Sequence, residues 1–110
     1  MNDTSHQSVE IHPVVLRFLD VLWMERGLSQ NTLAAYRADL LALQRWLVPR
    51  AIDITAASRA ELLAYLALRA EQGAKSRSTA RQLSTFRRFF RHLVRERHRA
   101  DDPTLDISAP

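Results

Sequence analysis

Residues 76–97 read SRSTARQLSTFRRFFRHLVRER, and the spacing within this run decides the fold. On a helical wheel, Ala80, Leu83, Phe86, Phe90, Leu93 and Val94 fall in one arc. Arg77, Arg81, Ser84, Arg88, Arg91 and Arg95 recur on the opposite side at intervals of three and four, with Thr85 and His92 beside them. The run predicts one long amphipathic helix over 76–97, whose apolar stripe needs other helices to cover it. Phe89 falls at the edge of that stripe. Arg87 and Arg97 fall within it, so their stems are expected on the core, with the heads paired to an acid such as Asp39 or Asp20.

Three more helices precede this run. Pro13, a good first-turn residue, opens a stripe of Val15, Leu16, Leu19, Leu22 and Trp23, which Gly27 ends, predicting a helix over 13–26. Ser29 and Asn31 are good caps for a second helix over 29–48, with Leu33, Tyr36, Leu40, Leu43 and Leu47 as its stripe and Pro49 after it. Residues 50–57 read as a loop anchored by Ile52 and Ile54. Ser58-Arg59-Ala60-Glu61 reads as a capping box, opening a third helix over 58–72 that buries Leu62, Leu63, Tyr65 and Leu66 and stops at Gly73. No alternating strand pattern and no internal repeat is present. The fold class is therefore all-α: a bundle of four main helices over residues 13–100. Residues 1–12 read as a flexible arm, and 101–110 as the start of a linker.

Charge separates one part of the chain from the rest. Between Lys75 and Arg99 stand nine basic residues and a single acid, Glu96. The remaining residues carry seven basic and eleven acidic side chains, so the net +4 divides into +8 and −4. At 110 residues the chain is one domain with room for one core. With no cysteine it can hold neither a disulfide nor a thiolate metal site. No apolar signal core or membrane-length run is present, which predicts a soluble, cytoplasmic domain.

A row of arginines along one helix face suits a polyanion. A helix is about 10–12 Å wide with its side chains, which matches the DNA major groove. The Ser76–Thr79 start adds hydroxyls and free amides, a ready anion site. The plainer reading, a solvated charged face, loses weight because such faces usually mix signs to gain pairs one turn apart. RNA or an anionic membrane would also satisfy the charge, although the face opposite the arginines is needed for the core. A different-class alternative is a helical interaction module whose basic helix binds an acidic partner.

Nothing in the chain assembles an active site. His6, His12, His92 and His98 form no metal-ligand pattern, and Gly27 and Gly73 are the only glycines, too few for a phosphate loop. His92 reads as a surface residue or phosphate neighbour. Tyr36 and Tyr65 read as core, and Ser29, Ser58 and Ser76 as caps. No metal and no cofactor is expected.

Two stretches carry a family likeness: FLDVLWMERGLSQNTLAAYRADL (18–40) and SRSTARQLSTFRRFFRHLVRERHRADDP (76–103). Leu28, Ser29, Asn31-Thr32, Tyr36 and Asp39-Leu40 form one signature. Ser-x-x-Arg-x-Leu-Ser-x-Phe-Arg-Arg-Phe-Phe, ending in Asp102-Pro103, forms the other. Over residues 14–110 the chain resembles the N-terminal core-binding domain of tyrosine site-specific recombinases, in particular the branch that resolves bacterial chromosome dimers. The resemblance implies a SAM-like bundle forming half of a C-shaped clamp, with its second and fourth helices facing the major groove of duplex DNA. It implies contacts from Thr32 and Arg37, and from Lys75, Ser76, Arg77, Ser78, Arg81, Thr85 and Arg88. The helical wheel adds Ser84. Arg81 and Thr85 are the leading candidates for base edges. The partners implied are a recombination half-site, a partner recombinase in a four-subunit synaptic complex, and a DNA translocase. The family's catalytic arginines, lysine, histidines and tyrosine belong to a second domain that would follow Pro110, so this chain is expected to bind DNA without cutting it.

Overall fold

The computed structural model describes residues 10–108, which are helical with no strand among them. Four helices carry the fold: α1 (Pro13–Val21), α2 (Gln30–Leu47), α3 (Arg59–Glu71) and α4 (Ser76–Arg95). α1 continues as a π-helical turn, Leu22–Arg26, and α2 as a 3-10 turn, Val48–Arg50; a second 3-10 turn, Ile54–Ala56, precedes α3. The expected bundle is therefore observed, with boundaries shifted by a residue or two at most helix ends.

Local chemistry sets those boundaries. His12 caps α1, its Nδ1 accepting from the Val14 amide at 3.0 Å, with Pro13 at the first position. Gly27 ends the π-turn at φ +62°, a left-handed conformation that costs glycine nothing. Ser29 caps α2 by accepting from Thr32 N–H at 3.2 Å. Ser58 and Glu61 form the anticipated capping box, with bonds of 3.2 and 2.8 Å.

α4 is the central element and packs against α1, α2 and α3. Half its circumference is covered: Thr79, Gln82, Leu83, Thr85, Phe86, Phe89, Phe90, His92 and Leu93 are all buried. Phe89 meets Phe18 of α1 and Phe90 edge-to-face at 5.4 and 5.2 Å, and Tyr65 of α3 lies between Trp46 and Phe86. The buried arc is thus turned relative to the sequence expectation. Phe89 is wholly buried rather than at an edge, while Ala80 and Val94 are only half-buried. The cause is tertiary: α1 and α2 both cover the flank that carries Thr85, Phe89 and His92.

The ends of the described chain are tied to this bundle. Gln44, buried on α2, donates to the Glu10 carbonyl at 2.6 Å and accepts from the His12 amide at 3.0 Å. His12 Nε2 donates to Asp53 at 3.2 Å. Burial pushes the Asp53 carboxyl up, but the Thr55 hydrogen bonds and His12 outweigh it, leaving the group below the usual carboxylate value. Of the expected arm, 1–12, Glu10 and His12 are tied to the bundle, and residues 1–9 lie outside the described residues. The expected linker from 101 instead folds back. Asp102 accepts from the Thr104 amide and hydroxyl at 2.8 and 2.7 Å, and Thr104 and Ile107 are buried.

Candidate nucleic-acid interface

The exposed side of α4 carries Arg77, Arg81, Ser84, Arg88, Arg91 and Arg95, all solvent-facing, as their spacing demands. At the start of the helix Lys75 is exposed and makes no side-chain cap. The amides of Ser78 and Thr79 already bond the Lys75 carbonyl, so those of Ser76 and Arg77 are the ones with no intrahelical acceptor. Ser76 is exposed and Ser78 half-buried. This end therefore presents amides, hydroxyls and the positive pole of the helix dipole together.

α2 crosses α4 with Tyr36 near Arg88 and Asp39 at Arg81 and Thr85, so its start lies toward the C-terminal half of α4. Thr32 is half-buried, with its hydroxyl 3.0 Å from that of Ser29, and Arg37 is exposed one turn further on. Arg88 bridges the two helices, its guanidinium 5.9 Å from the Tyr36 ring. Arg26, Tyr36, Ser84, Arg87, Arg88 and Arg91 line a shallow basic hollow of about 420 Å³ between the end of the π-turn, α2 and α4. Arg26 was missed in the sequence reading. Its signal was only its place at the C-terminal end of a helix, just before Gly27.

Arg81 is half-exposed but not free. Its Nη2 donates to Asp39 Oδ1 at 2.7 Å and its Nε to Oδ2 at 3.3 Å. Asp39 is buried, and Thr85 donates its hydroxyl to Oδ2 at 2.9 Å. The acid expected to neutralise Arg87 or Arg97 therefore serves Arg81. Arg87 instead donates to the Ile107 carbonyl, and Arg97 lies past the end of α4 at φ +63°, exposed.

Thr85 corrects the sequence reading more sharply. It was expected at base edges, but it has no exposed surface, and its hydroxyl is committed to Asp39 with the Arg81 carbonyl 3.2 Å away. α2 covers it, so it cannot reach a groove. His92 is likewise not on the basic face. It is buried against Phe18, with ring centroids 5.3 Å apart, and burial pushes its pKa below the usual histidine value.

The remaining candidates on α4, Lys75, Ser76, Arg77, Ser78, Arg81, Ser84 and Arg88, lie along one side of the helix, and Thr32 and Arg37 stand separately on α2. Buried Asp39 is the acid that meets this row, and it is engaged by Arg81. The outward-facing charge is therefore almost wholly positive, over a rigid helical scaffold.

A family model described as the phage integrase N-terminal SAM-like domain matches residues 15–97. The chain is 46% identical over 108 residues to tyrosine recombinase XerD of Proteus mirabilis, covering 97% of this chain and 34% of that protein. Against the XerD of Yersinia pestis it is 50% identical over 99 residues, covering 90% and 33%. Against that of Pseudomonas putida it is 48% identical over 99 residues, with the same coverage. The chain spans about a third of the length of these curated relatives. A helical bundle built around α4, the two matched signatures and these relatives agree: the chain belongs to the phage integrase N-terminal SAM-like domain family of tyrosine recombinases.

Proposed function

We propose that this domain binds duplex DNA, with the N-terminal half of α4 in the major groove and the start of α2 against the adjoining backbone. The observation that carries the reading is the row Arg77, Arg81, Ser84 and Arg88 on one exposed arc, beside an uncapped helix N-terminus. Their surroundings support different roles. Lys75, Ser76, Arg77 and Ser78 meet phosphates, as do Thr32 and Arg37; Arg81, held by Asp39, reads a base edge. Ser84 and Arg88 extend the contact along the groove.

In the whole protein this domain is half of a clamp on one recombination half-site of the dif type. The catalytic tyrosine and its partners stand in a domain that follows, and this domain contributes no catalytic group. The parent enzyme is XerD-like. It works with an XerC-type partner in a four-subunit synapse, under the control of a DNA translocase, to resolve chromosome dimers on the cytoplasmic nucleoid.

The test is a salt titration of duplex binding by the 110-residue chain. The log–log slope should be several units, because each neutralised phosphate releases counterions. Absence of measurable duplex affinity at about 50 mM salt sinks the reading.

A further inference from the structure

Arg91 and Arg95 are not absorbed by the groove. They stand 14 and 18 residues beyond Arg77, roughly 21 and 27 Å along the helix and past the last residue given a DNA contact, Arg88. This step rests on the DNA reading of the N-terminal half of α4. It leaves Arg91 with no assigned anion and Arg95 with only a loose, exposed contact to Glu96 at 3.8 Å.

They border a cleft of about 160 Å³ between the end of α1 and the C-terminal half of α4. One wall is Phe18, Val21 and Leu22; the other is His92 with Arg91 and Arg95. Arg88 completes the lining one turn nearer the start of α4. The wall from α1 reaches into the π-helical turn, which begins at Leu22.

His92 fixes the polarity of the site. Arg95 Nη2 lies 3.5 Å from His92 Nδ1. A guanidinium can only donate, so Nδ1 accepts and the proton of the neutral ring sits on Nε2. That Nε2 is buried and has no partner. A buried donor without an acceptor is unfavourable, so an oxygen brought to His92 from the cleft would relieve it.

We propose that this cleft is a second anion site, which takes an aspartate or glutamate side chain carried beside an apolar residue on a peptide segment of another protein. The wall chemistry favours a carboxylate over a DNA phosphate. Phe18, Val21 and Leu22 offer hydrocarbon, on which the stem of an acidic residue and its apolar neighbour can lie while the oxygens meet the arginines and His92. A phosphodiester carries no such stem and keeps its hydration at the rim. The same turn continues into Trp23 and Met24, which are 50% and 80% exposed and give an apolar neighbour a place to land.

The test is an NMR titration of the 110-residue chain with N-acetyl-Leu-Glu-Phe-amide, its Gln counterpart, inorganic phosphate and a DNA duplex. The Glu peptide should saturably shift the Val21, Leu22 and His92 amides and the His92 ring Nε2. The Gln peptide should bind about tenfold more weakly, the loss of a charge-assisted bond. An R91Q/R95Q variant should lose about tenfold in peptide affinity while duplex affinity at low salt falls by no more than about threefold. Equal binding of the Glu and Gln peptides, or unmoved cleft signals, overturns the proposal. So does a phosphate or duplex titration that shifts the cleft as strongly as the Glu peptide, since the site is then a backbone seat. A chain that binds the Glu peptide but no duplex sinks the DNA reading and leaves this site standing.

Discussion

Arg81 on α4 grips Asp39 on α2 through both carboxylate oxygens, at 2.7 and 3.3 Å, with Asp39 buried and Arg81 half-exposed. Two of the guanidinium's five donors are engaged and three remain for a ligand. The grip holds a long, flexible side chain in one orientation, so on the proposed DNA reading it is set in place before the duplex is bound. Fixing such a side chain in advance removes an ordering cost of about 0.5–1.5 kcal/mol from binding. Asp39 is in this sense a positioning residue for Arg81, with Thr85 holding the carboxylate from behind.

The burial difference predicts an asymmetry in stability. Arg81→Ala strands a carboxylate in the interior with Thr85 as its remaining partner, which should cost on the order of 3 kcal/mol. Asp39→Asn keeps an acceptor for Thr85 and frees a half-exposed guanidinium to water, which should cost about 1 kcal/mol. Urea unfolding of both variants measures this. Equal losses would show that the pair behaves as a surface salt bridge.

Thr85 gives a second, independent check. Thr85→Ser keeps the hydroxyl and should change little, whereas Thr85→Val removes a buried donor and should cost roughly 1–2 kcal/mol. Neither should change which base is preferred at any one position of a bound duplex. A position-specific change in preference for Thr85→Ser would put the hydroxyl in the groove after all.

How much of this was legible depended on whether the signal was local. The helices, the Ser58–Glu61 box and the arginine row follow from spacing and cap chemistry within one element, and the structure shows them. Thr85 and His92 were misplaced because a helical wheel gives the direction of a side chain but not what covers that direction. Here α1 and α2 converge on one flank of α4. Asp39 was readable in principle. It lies three residues after Tyr36 and four before Leu43, which puts a carboxylate on an apolar stripe, and a buried acid requires a cation. The segment from Arg99 to Ile107 has no periodicity at all. It is held by single contacts, such as Arg99 donating to the Thr55 and Ala57 carbonyls at 3.1 and 2.8 Å, and no local pattern encodes those.

The buried His92 predicts acid sensitivity. Burial lowers its folded pKa below 6.5; Arg95 and His98 push the same way, and Glu96 and Glu25 oppose them. As pH falls the unfolded chain takes the proton first. The stabilising contribution of the neutral ring is complete above 6.5 and is lost as pH drops through the folded value. Asp53 and Asp101 are shifted below 3.8, so their contributions fade only in a separate, more acidic window. Unfolding free energy should therefore begin to fall as pH drops below about 6.5, by at most about 1.4 kcal/mol per pH unit, and His92→Phe should flatten that slope. An unchanged slope in His92→Phe would assign the transition to another group.

Arg77 and Arg81 should separate affinity from specificity, because the fold gives them different surroundings. Arg77 stands in the first turn of α4, exposed and beside free amides, where a phosphate is the natural acceptor. Arg77→Ala should weaken all duplexes alike and reduce the salt slope by about one unit. Arg81 is held in a fixed plane by Asp39, the geometry that two-pronged recognition of a guanine edge requires. Arg81→Ala should relax preference at one base pair by about 1–3 kcal/mol. Asp39→Asn, which leaves Arg81 present but loosened, should lose part of that preference while keeping the salt slope, because charge drives the slope and orientation drives the readout. Binding competition among single-base variants of the preferred duplex, repeated at two salt concentrations, separates the two. If Arg77→Ala and Arg81→Ala give the same profile, the Asp39 grip contributes to folding alone and the row acts as an undifferentiated phosphate contact.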